Sequence, residues 1–345
     1  MKIAVATVQV PFISGGAEIH TNNLKQALIE AGHQVEIVTM PFWFNPPALV
    51  REKMKAWESE DFAAYLSGSI DRVIALKFPA YYLKHPNKVV WLLHPHSSLY
   101  DFYDTPYGAQ RDDSESAELR ADIFTKDAKC FGTAKEIFSV SNYLSGVIHR
   151  EIGVSTKPLY HPPPEVDAFR SAEPYPYIFF PSRLESQKRQ DLLIRAMQYV
   201  DEPLVAVIAG DGGQLLYCQD LVVQLNLGHR VKFVGNLVGE SLRNYYSHAF
   251  AVYFGPFHEP YGYITLEAML SSKPVITCKD SGGPTEFVVD GETGIISEPD
   301  PREIANSINA LWANRTRACS MGQEGRKHYN DLGLSWSNVV RELAS

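Results

Sequence analysis

Two carboxylates, Glu259 and Glu267, stand eight positions apart in the run Phe257-His258-Glu259-Pro260-Tyr261-Gly262-Tyr263-Ile264-Thr265-Leu266-Glu267-Ala268-Met269. The first sits in a Pro/Gly turn that follows the apolar run Ala251 to Gly255. The second lies a little over one turn into a helical pattern, Ile264 to Leu270. Strand, tight turn and helix N-terminus together aim backbone N–H groups and the positive end of the helix dipole at an anion. A carboxylate beside a phosphate is repelled, so Glu259 and Glu267 are expected to meet neutral hydroxyls. Phosphate and hydroxyls side by side describe a nucleotide sugar. The competing reading is a surface turn followed by an amphipathic helix with one solvated Glu.

Other residues of the right type follow other apolar runs. After Tyr177–Pro181 comes Ser182-Arg183-Leu184-Glu185-Ser186-Gln187-Lys188-Arg189. The guanidinium of Arg183 and the ammonium of Lys188 suit a diphosphate, with Arg189 expected as a surface cation. Gly15-Gly16 precedes a helix and offers close backbone approach and N–H donors to a phosphate. The turns Gly210-Asp211-Gly212-Gly213 and Gly235-Asn236-Leu237 suit a flat base held edge-on. His94, in His94-Pro95-His96, suits hydrogen bonding to a sugar or proton transfer, or simply the capping of a loop. Asp101 and Asp104 follow on a Tyr-rich loop that belongs either to an acceptor pocket or to a solvated turn. The fingerprint G-x-G-x-x-G is absent, and no acidic residue follows the second strand, which ends at Met40; a nicotinamide site is not expected.

These residues need strands and helices to place them. Short apolar runs alternate with helical patterns, which predicts βα units and parallel sheets. The candidate strands are Lys2–Thr7, Gln34–Thr39, Arg72–Leu76, Lys88–Leu93 and Glu136–Val140, then Tyr177–Pro181, Leu204–Ala209, Val231–Val234, Ala251–Phe254, Pro274–Thr277 and Thr293–Ile296. Helices are expected over Ala17–Ala31, closed by Gly32, and over Gln190–Val200 and Pro301–Asn314. The segment Pro106–Lys126 is rich in Asp, Glu and Ser and reads as a polar loop. The Pro-rich stretch His161-Pro162-Pro163-Pro164 divides the pattern, giving an α/β fold of two Rossmann-like doubly wound domains, 1–163 and 164–334. Ligands of such sheets bind outside the carboxyl ends of the strands, and two facing sheets place the expected site in a cleft between them.

The 345 residues match a prior of roughly two domains at about 150 residues each. With 45% hydrophobic and 21% charged residues the composition is that of a globular protein. The net charge of −8, most of it in the second half, argues against nucleic-acid binding. Cys130, Cys218, Cys278 and Cys319 are scattered, without metal spacing, and read as reduced thiols. The N-terminus is not a signal peptide and no apolar stretch approaches the ~18 residues of a membrane span. The expected location is cytoplasmic, at most peripheral to a membrane.

In concert, Glu259-x7-Glu267, the Arg183/Lys188 pair, Gly15-Gly16 and Gly282-Gly283-Pro284-x-Glu286 resemble the GT-B-fold retaining glycosyltransferases of family 4 (glycosyl transferases group 1), over essentially the whole chain. The resemblance implies transfer of a hexosyl group from a GDP- or UDP-sugar to a glycan or lipid-linked hydroxyl acceptor, with retention and without metal or other cofactor. It implies that Arg183 and Lys188 neutralise the diphosphate, that Glu259 contacts sugar hydroxyls and that Glu267 contacts the ribose. Backbone groups of Gly15, Gly16, Gly210, Gly235, Asn236, Leu237, Tyr261, Gly262, Tyr263 and Ile264 would complete the donor site, with His94 beside the sugar. The last helix, about 335–345, would pack back on the first domain. By family analogy the role is polysaccharide or glycolipid synthesis. The alternatives are a sugar phosphorylase or synthase, for which the chain is short and lacks a cofactor-lysine motif, a non-hydrolysing nucleotide-sugar epimerase, and a silent nucleotide-sugar-binding subunit.

Overall fold

The computed structural model describes residues 1–12, 15–63, 70–201 and 203–345. Ile13 and Ser14 of the glycine loop lie outside the described residues. Two compact units result: Met1–His161 together with Ser335–Ser345, and Pro162–Leu334.

In the first unit β1 (Lys2–Gln9), β2 (Gln34–Pro41), β3 (Arg72–Lys77), β4 (Lys88–His94), β5 (Glu136–Ser139) and β6 (Lys157–Pro158) form a parallel sheet ordered β2-β1-β3-β4-β5-β6. Helices α1 (Gly16–Glu30), α2 (Pro47–Ser59), α3 (Ser114–Thr133) and α4 (Asn142–Ile152) connect them. Strand β3 is buried along its full length, as expected where both faces of a parallel sheet are covered. Helix α1 stops where Gly32 adopts φ +86°: its N–H donates to Ile29 O and the His33 N–H to Leu28 O, a Schellman closure.

Helix α3 corrects the expectation of a polar loop at Pro106–Lys126. Asp113 caps its N-terminus by accepting from the Glu115 N–H, and the buried Ser116, Leu119, Ile123, Asp127 and Cys130 recur every three or four residues. Glu115, Glu118 and Asp122 lie on its exposed face, so composition alone points to a loop. On the inner face Asp127 is wholly buried and accepts from Tyr81 (3.1 Å), Tyr82 (2.6 Å) and Tyr100 (2.5 Å) hydroxyls. Burial pushes its carboxyl up to about 7, against the pull of the three hydroxyls.

In the second unit β7 (Tyr177–Pro181), β8 (Val205–Ala209), β9 (Val231–Phe233), β10 (Ala251–Tyr253), β11 (Val275–Cys278) and β12 (Gly294–Ser297) form a parallel sheet ordered β12-β11-β10-β7-β8-β9. The helices are α5 (Gln190–Ala196), α6 (Leu215–Gln224), α7 (Gly239–His248), α8 (Tyr263–Leu270), α9 (Pro284–Phe287), α10 (Pro301–Ala313) and α11 (Arg315–Asp331). Helix α5 is shorter than the expected Gln190–Val200; the chain leaves it at Met197 while Val200 stays in the core. Phe179, Phe180, Tyr253 and Phe254 are fully buried in and beside the central strands, each worth roughly 1.5–3 kcal/mol of burial. The strand order reverses between β7 and β10. In an open α/β sheet that reversal opens a crevice at the carboxyl ends of the two strands, and the segments carrying Arg183, Lys188 and Glu259 follow those two strands.

The chain returns to the first unit in α12 (Trp336–Ala344), capped by Ser335, which accepts from the Asn338 N–H at 3.2 Å. Trp336 stacks on His161, and His161 Nε2 meets His20 Nδ1 at 3.1 Å. Arg72 donates to Leu343 O at 2.8 Å, and Val339 and Leu343 are buried, which fixes the helix in place.

Candidate functional site

Strand β7 ends at Pro181 and delivers Arg183 into a loop fixed from below. Leu184 N–H donates to Asp211 O, Gln214 N–H to Leu184 O, and the Gln190 amide to Arg183 O. The neighbouring glycine turn must be glycine: a Cβ on Gly210, at φ +129°, would stand 2.0 Å from Ser182 O. Gly210 N–H donates to Gly235 O at 2.8 Å, joining the two turns after β8 and β9. Gly235 and Asn236 are exposed and Leu237 is half-buried. Arg183 is exposed and, among the described residues, has no ion-pair partner.

Lys188 ends a short 3₁₀ turn, Ser186–Lys188, and its ammonium forms an ion pair with Glu259. The side chains are 13% and 22% exposed, so solvent screens the pair weakly. Glu259 is held by its backbone: its N–H donates to Ser281 O, its carbonyl accepts from Gly283 N–H at 2.7 Å, and it forms a parallel bridge with Gly282. A Cβ on Gly283 would stand 2.6 Å from Pro260 O, so the two loops interlock at van der Waals limits.

Arg189 corrects the expectation of a surface cation. It is 5% exposed, its backbone is left-handed at φ +57°, and its guanidinium donates to Gly255 O, Pro256 O and both Asp280 oxygens. His258 is left-handed too, at φ +49°. Such conformations cost on the order of 1–3 kcal/mol each and persist where surrounding bonds over-determine them. Sequence reading missed Arg189 because its partners lie 66 to 91 positions away.

Gly262, at φ +96°, starts α8, which has no side-chain N-cap. Tyr261 is buried, while Tyr263 and Ile264 are half-buried at the first turn. Glu267 accepts from the Tyr246 hydroxyl at 2.6 Å. Burial pushes its carboxyl up to about 7, opposed by that hydrogen bond. Burial, and then the Glu267 charge, raise the Tyr246 and Tyr263 phenols. The second unit thus pairs the Lys188 ammonium with the Glu259 carboxylate across the segments that follow β7 and β10, with the exposed Arg183 in the first segment and α8, which carries Glu267, after the second. Such a set can bind an anion flanked by hydroxyls.

The first unit holds the remaining candidates. Glu18 accepts from the Gly15 N–H at 2.9 Å and pairs with Lys77 at 3.5 Å. The Gly15 donor expected to serve a phosphate is therefore engaged by a capping carboxylate, and Gly15 itself is extended at φ −162°. Gly16 opens α1. Half-buried His94 ends β4, its Nδ1 2.9 Å from Pro95 O, which puts the ring proton on that nitrogen. Asp101 is buried and bonded by Tyr143 at 3.1 Å; burial pushes its carboxyl up to about 7. Asp104 pairs with Arg111 at 3.2 Å on the surface. Among the described residues no group of three His, Cys, Asp or Glu side chains is placed to hold a metal, and no helix is long and apolar enough to cross a membrane.

Residues 165–328, most of the second unit, match the family model described as Glycosyl transferases group 1. Over its full length the chain is 26% identical to an uncharacterised glycosyltransferase of Methanocaldococcus jannaschii, 97% of which is covered. It is 32% identical, over 59% of its length, to the GDP-mannose-dependent alpha-(1-6)-phosphatidylinositol monomannoside mannosyltransferase of Mycolicibacterium smegmatis, and spans 60% of that relative. Among solved structures, the sucrose-phosphate synthase of Thermosynechococcus elongatus superposes with a TM-score of 0.78 at 19% identity, covering 99% of this chain and 97% of that one. Anabaena HepE in complex with UDP and glucose superposes at 0.73 and 18% identity, covering 100% and 98%. These likenesses show a shared two-sheet, GT-B architecture.

Proposed function

We propose that this chain, as a glycosyltransferase of the group 1 family, moves a hexosyl group from a nucleoside-diphosphate sugar to a hydroxyl acceptor with retention of configuration and without a metal. The observation that carries the reading is the Lys188–Glu259 ion pair, which joins the segments that follow β7 and β10 at the strand-order reversal of the second unit; Arg183 lies in the first of these segments and α8 follows the second. The GDP-mannose dependence of the mycobacterial relative adds support for a donor of this class.

Cleaving the bond between the sugar's anomeric carbon and the diphosphate oxygen leaves positive charge on the sugar and negative charge on the departing diphosphate. Lys188 and Arg183 are assigned to that diphosphate. Each charge-assisted hydrogen bond contributes roughly 1.5–3 kcal/mol. Glu259 takes hydroxyls of the sugar and Glu267, in its ionised form, the ribose diol. The acceptor oxygen bonds to the anomeric carbon on the face that the diphosphate leaves, and its proton passes to a diphosphate oxygen. The acceptor itself is a glycan or a lipid-linked hydroxyl.

Slow hydrolysis tests this without an identified acceptor. The purified chain is incubated with GDP-mannose and, separately, UDP-glucose in EDTA, and the first-formed sugar is followed by proton NMR. Release of nucleoside diphosphate with the α-anomer appearing first is expected. Appearance of the β-anomer first would exclude retention, and dependence on added divalent metal would exclude the metal-free step.

A further inference from the structure

Three segments meet around Arg189: the 3₁₀ turn that ends in Lys188, the Gly255–Glu259 loop after β10, and the Asp280–Gly283 loop after β11. Backbone bonds tie them in pairs. Phe257 N–H donates to Gln187 O at 2.7 Å, His258 N–H to Asp280 O at 3.0 Å and Glu259 N–H to Ser281 O at 2.9 Å. The Arg189 side chain, one residue past the turn, reaches both loops. Its Nε–H meets Gly255 O at 2.8 Å, one Nη meets Asp280 Oδ2 at 2.8 Å, and the other meets Asp280 Oδ1 at 2.6 Å and Pro256 O at 2.8 Å. Four donors in a planar fork, bonded to two carbonyls and a bidentate carboxylate, form a pattern that a lysine cannot reproduce.

The charge of Arg189 is spent on Asp280, so this cation is not one that a diphosphate can recruit. Its neighbour in sequence, Lys188, is the ammonium paired with Glu259. Arg189 therefore anchors, from one residue away, the backbone on both sides of that pair.

We propose that Arg189 and Asp280 are positioning residues: their buried fork sets the spacing of the Lys188 ammonium and the Glu259 carboxylate, and so the alignment of diphosphate and sugar at the moment of transfer. This rests on the reading of Lys188 and Glu259 given above. Misplacement of a reacting group by about 1 Å lowers turnover on the order of 10²-fold, whereas retained charges keep ground-state binding close to its original strength.

The test compares Arg189→Lys, Asp280→Asn and the double variant with the wild type in donor turnover and in calorimetric binding of GDP and UDP. The expected result is a kcat lowered about 10²-fold in each single variant, with donor KM and nucleoside-diphosphate Kd within about threefold of wild type. The double variant is expected to fall little further, because both members act through one contact. Unchanged kcat in folded Arg189→Lys and Asp280→Asn would overturn the proposal. So would a parallel loss of nucleoside-diphosphate binding, which would make Arg189 a phosphate ligand. Unfolding of both single variants at assay temperature would overturn it as well, assigning the fork to stability alone. A wild type that binds neither GDP nor UDP would instead overturn the underlying reading, and the proposal with it.

Discussion

Lys188 and Glu259, 71 positions apart, neutralise one another in the second unit. Each is also assigned a separate partner, the ammonium a diphosphate and the carboxylate a sugar. Donor binding must then exchange one ion pair for two sets of new contacts. Removing the carboxylate leaves the ammonium available to the leaving group, so Glu259→Gln is expected to bind nucleoside diphosphate several-fold more tightly while turnover falls at least about 10²-fold. Calorimetry with GDP and UDP alongside turnover checks both halves. A fall in nucleoside-diphosphate affinity would contradict the competition between pair and ligand.

Glu267 titrates near neutrality, and the sign of its effect on stability follows. Burial holds the carboxyl at about 7 in the folded chain, above the ordinary 4.5. Between these values the folded state keeps a proton that the unfolded chain has released, so stability falls as pH rises from 4.5 to 7 and levels off above 7. Glu267→Gln is expected to flatten part of that slope and to stabilise the protein above pH 7 by up to about 3 kcal/mol. Denaturant melts at pH 5 and pH 8 measure it; an unchanged slope would refute the assignment. Nucleoside binding by the wild type should strengthen through pH 7, because the carboxylate accepts hydroxyl hydrogen bonds that the acid accepts poorly.

Asp127 joins three elements of the first unit through Tyr81, Tyr82 and Tyr100. Asp127→Ala orphans three hydroxyls around a buried gap, each costing about 1–3 kcal/mol. A loss of at least about 3 kcal/mol in urea unfolding is expected, with nucleoside-diphosphate affinity of the remaining folded protein unchanged. A loss under about 1 kcal/mol would show that the network is dispensable.

Gly283 needs its missing side chain for space, since its backbone is right-handed at φ −50°. A methyl group there would press on the Pro260 and Tyr261 carbonyls at 2.6 and 2.8 Å. Gly283→Ala is expected to displace the Glu259 turn and cut turnover at least about tenfold, with loss of a few degrees in Tm. Wild-type turnover would show that the loops can part without cost to the site.

Much of this was legible in the chain. Parallel strands buried on both faces read as continuous apolar runs, and residues just after such runs lie at carboxyl ends, as Glu259, Arg183 and Lys188 do. Helix α3 is announced by Asp113 and by the spacing of Ser116, Leu119, Ile123 and Asp127, but the acidity of its exposed face masks that periodicity. The engagement of Gly15 was readable as Gly15-x-x-Glu18, a capping box without a side chain at its first position. Arg189 was not readable. Its burial follows from carbonyls and a carboxylate far along the chain, and no local pattern separates it from Lys188.

The proposed transfer requires the second unit to hold a nucleoside diphosphate through Lys188. Titration calorimetry of the wild type and Lys188→Ala with GDP and UDP, in EDTA, tests it most directly. The wild type is expected to bind one of the two selectively, and Lys188→Ala, still folded, to lose at least about tenfold in affinity. Equal affinity in the two proteins, or no binding by the wild type, would contradict it.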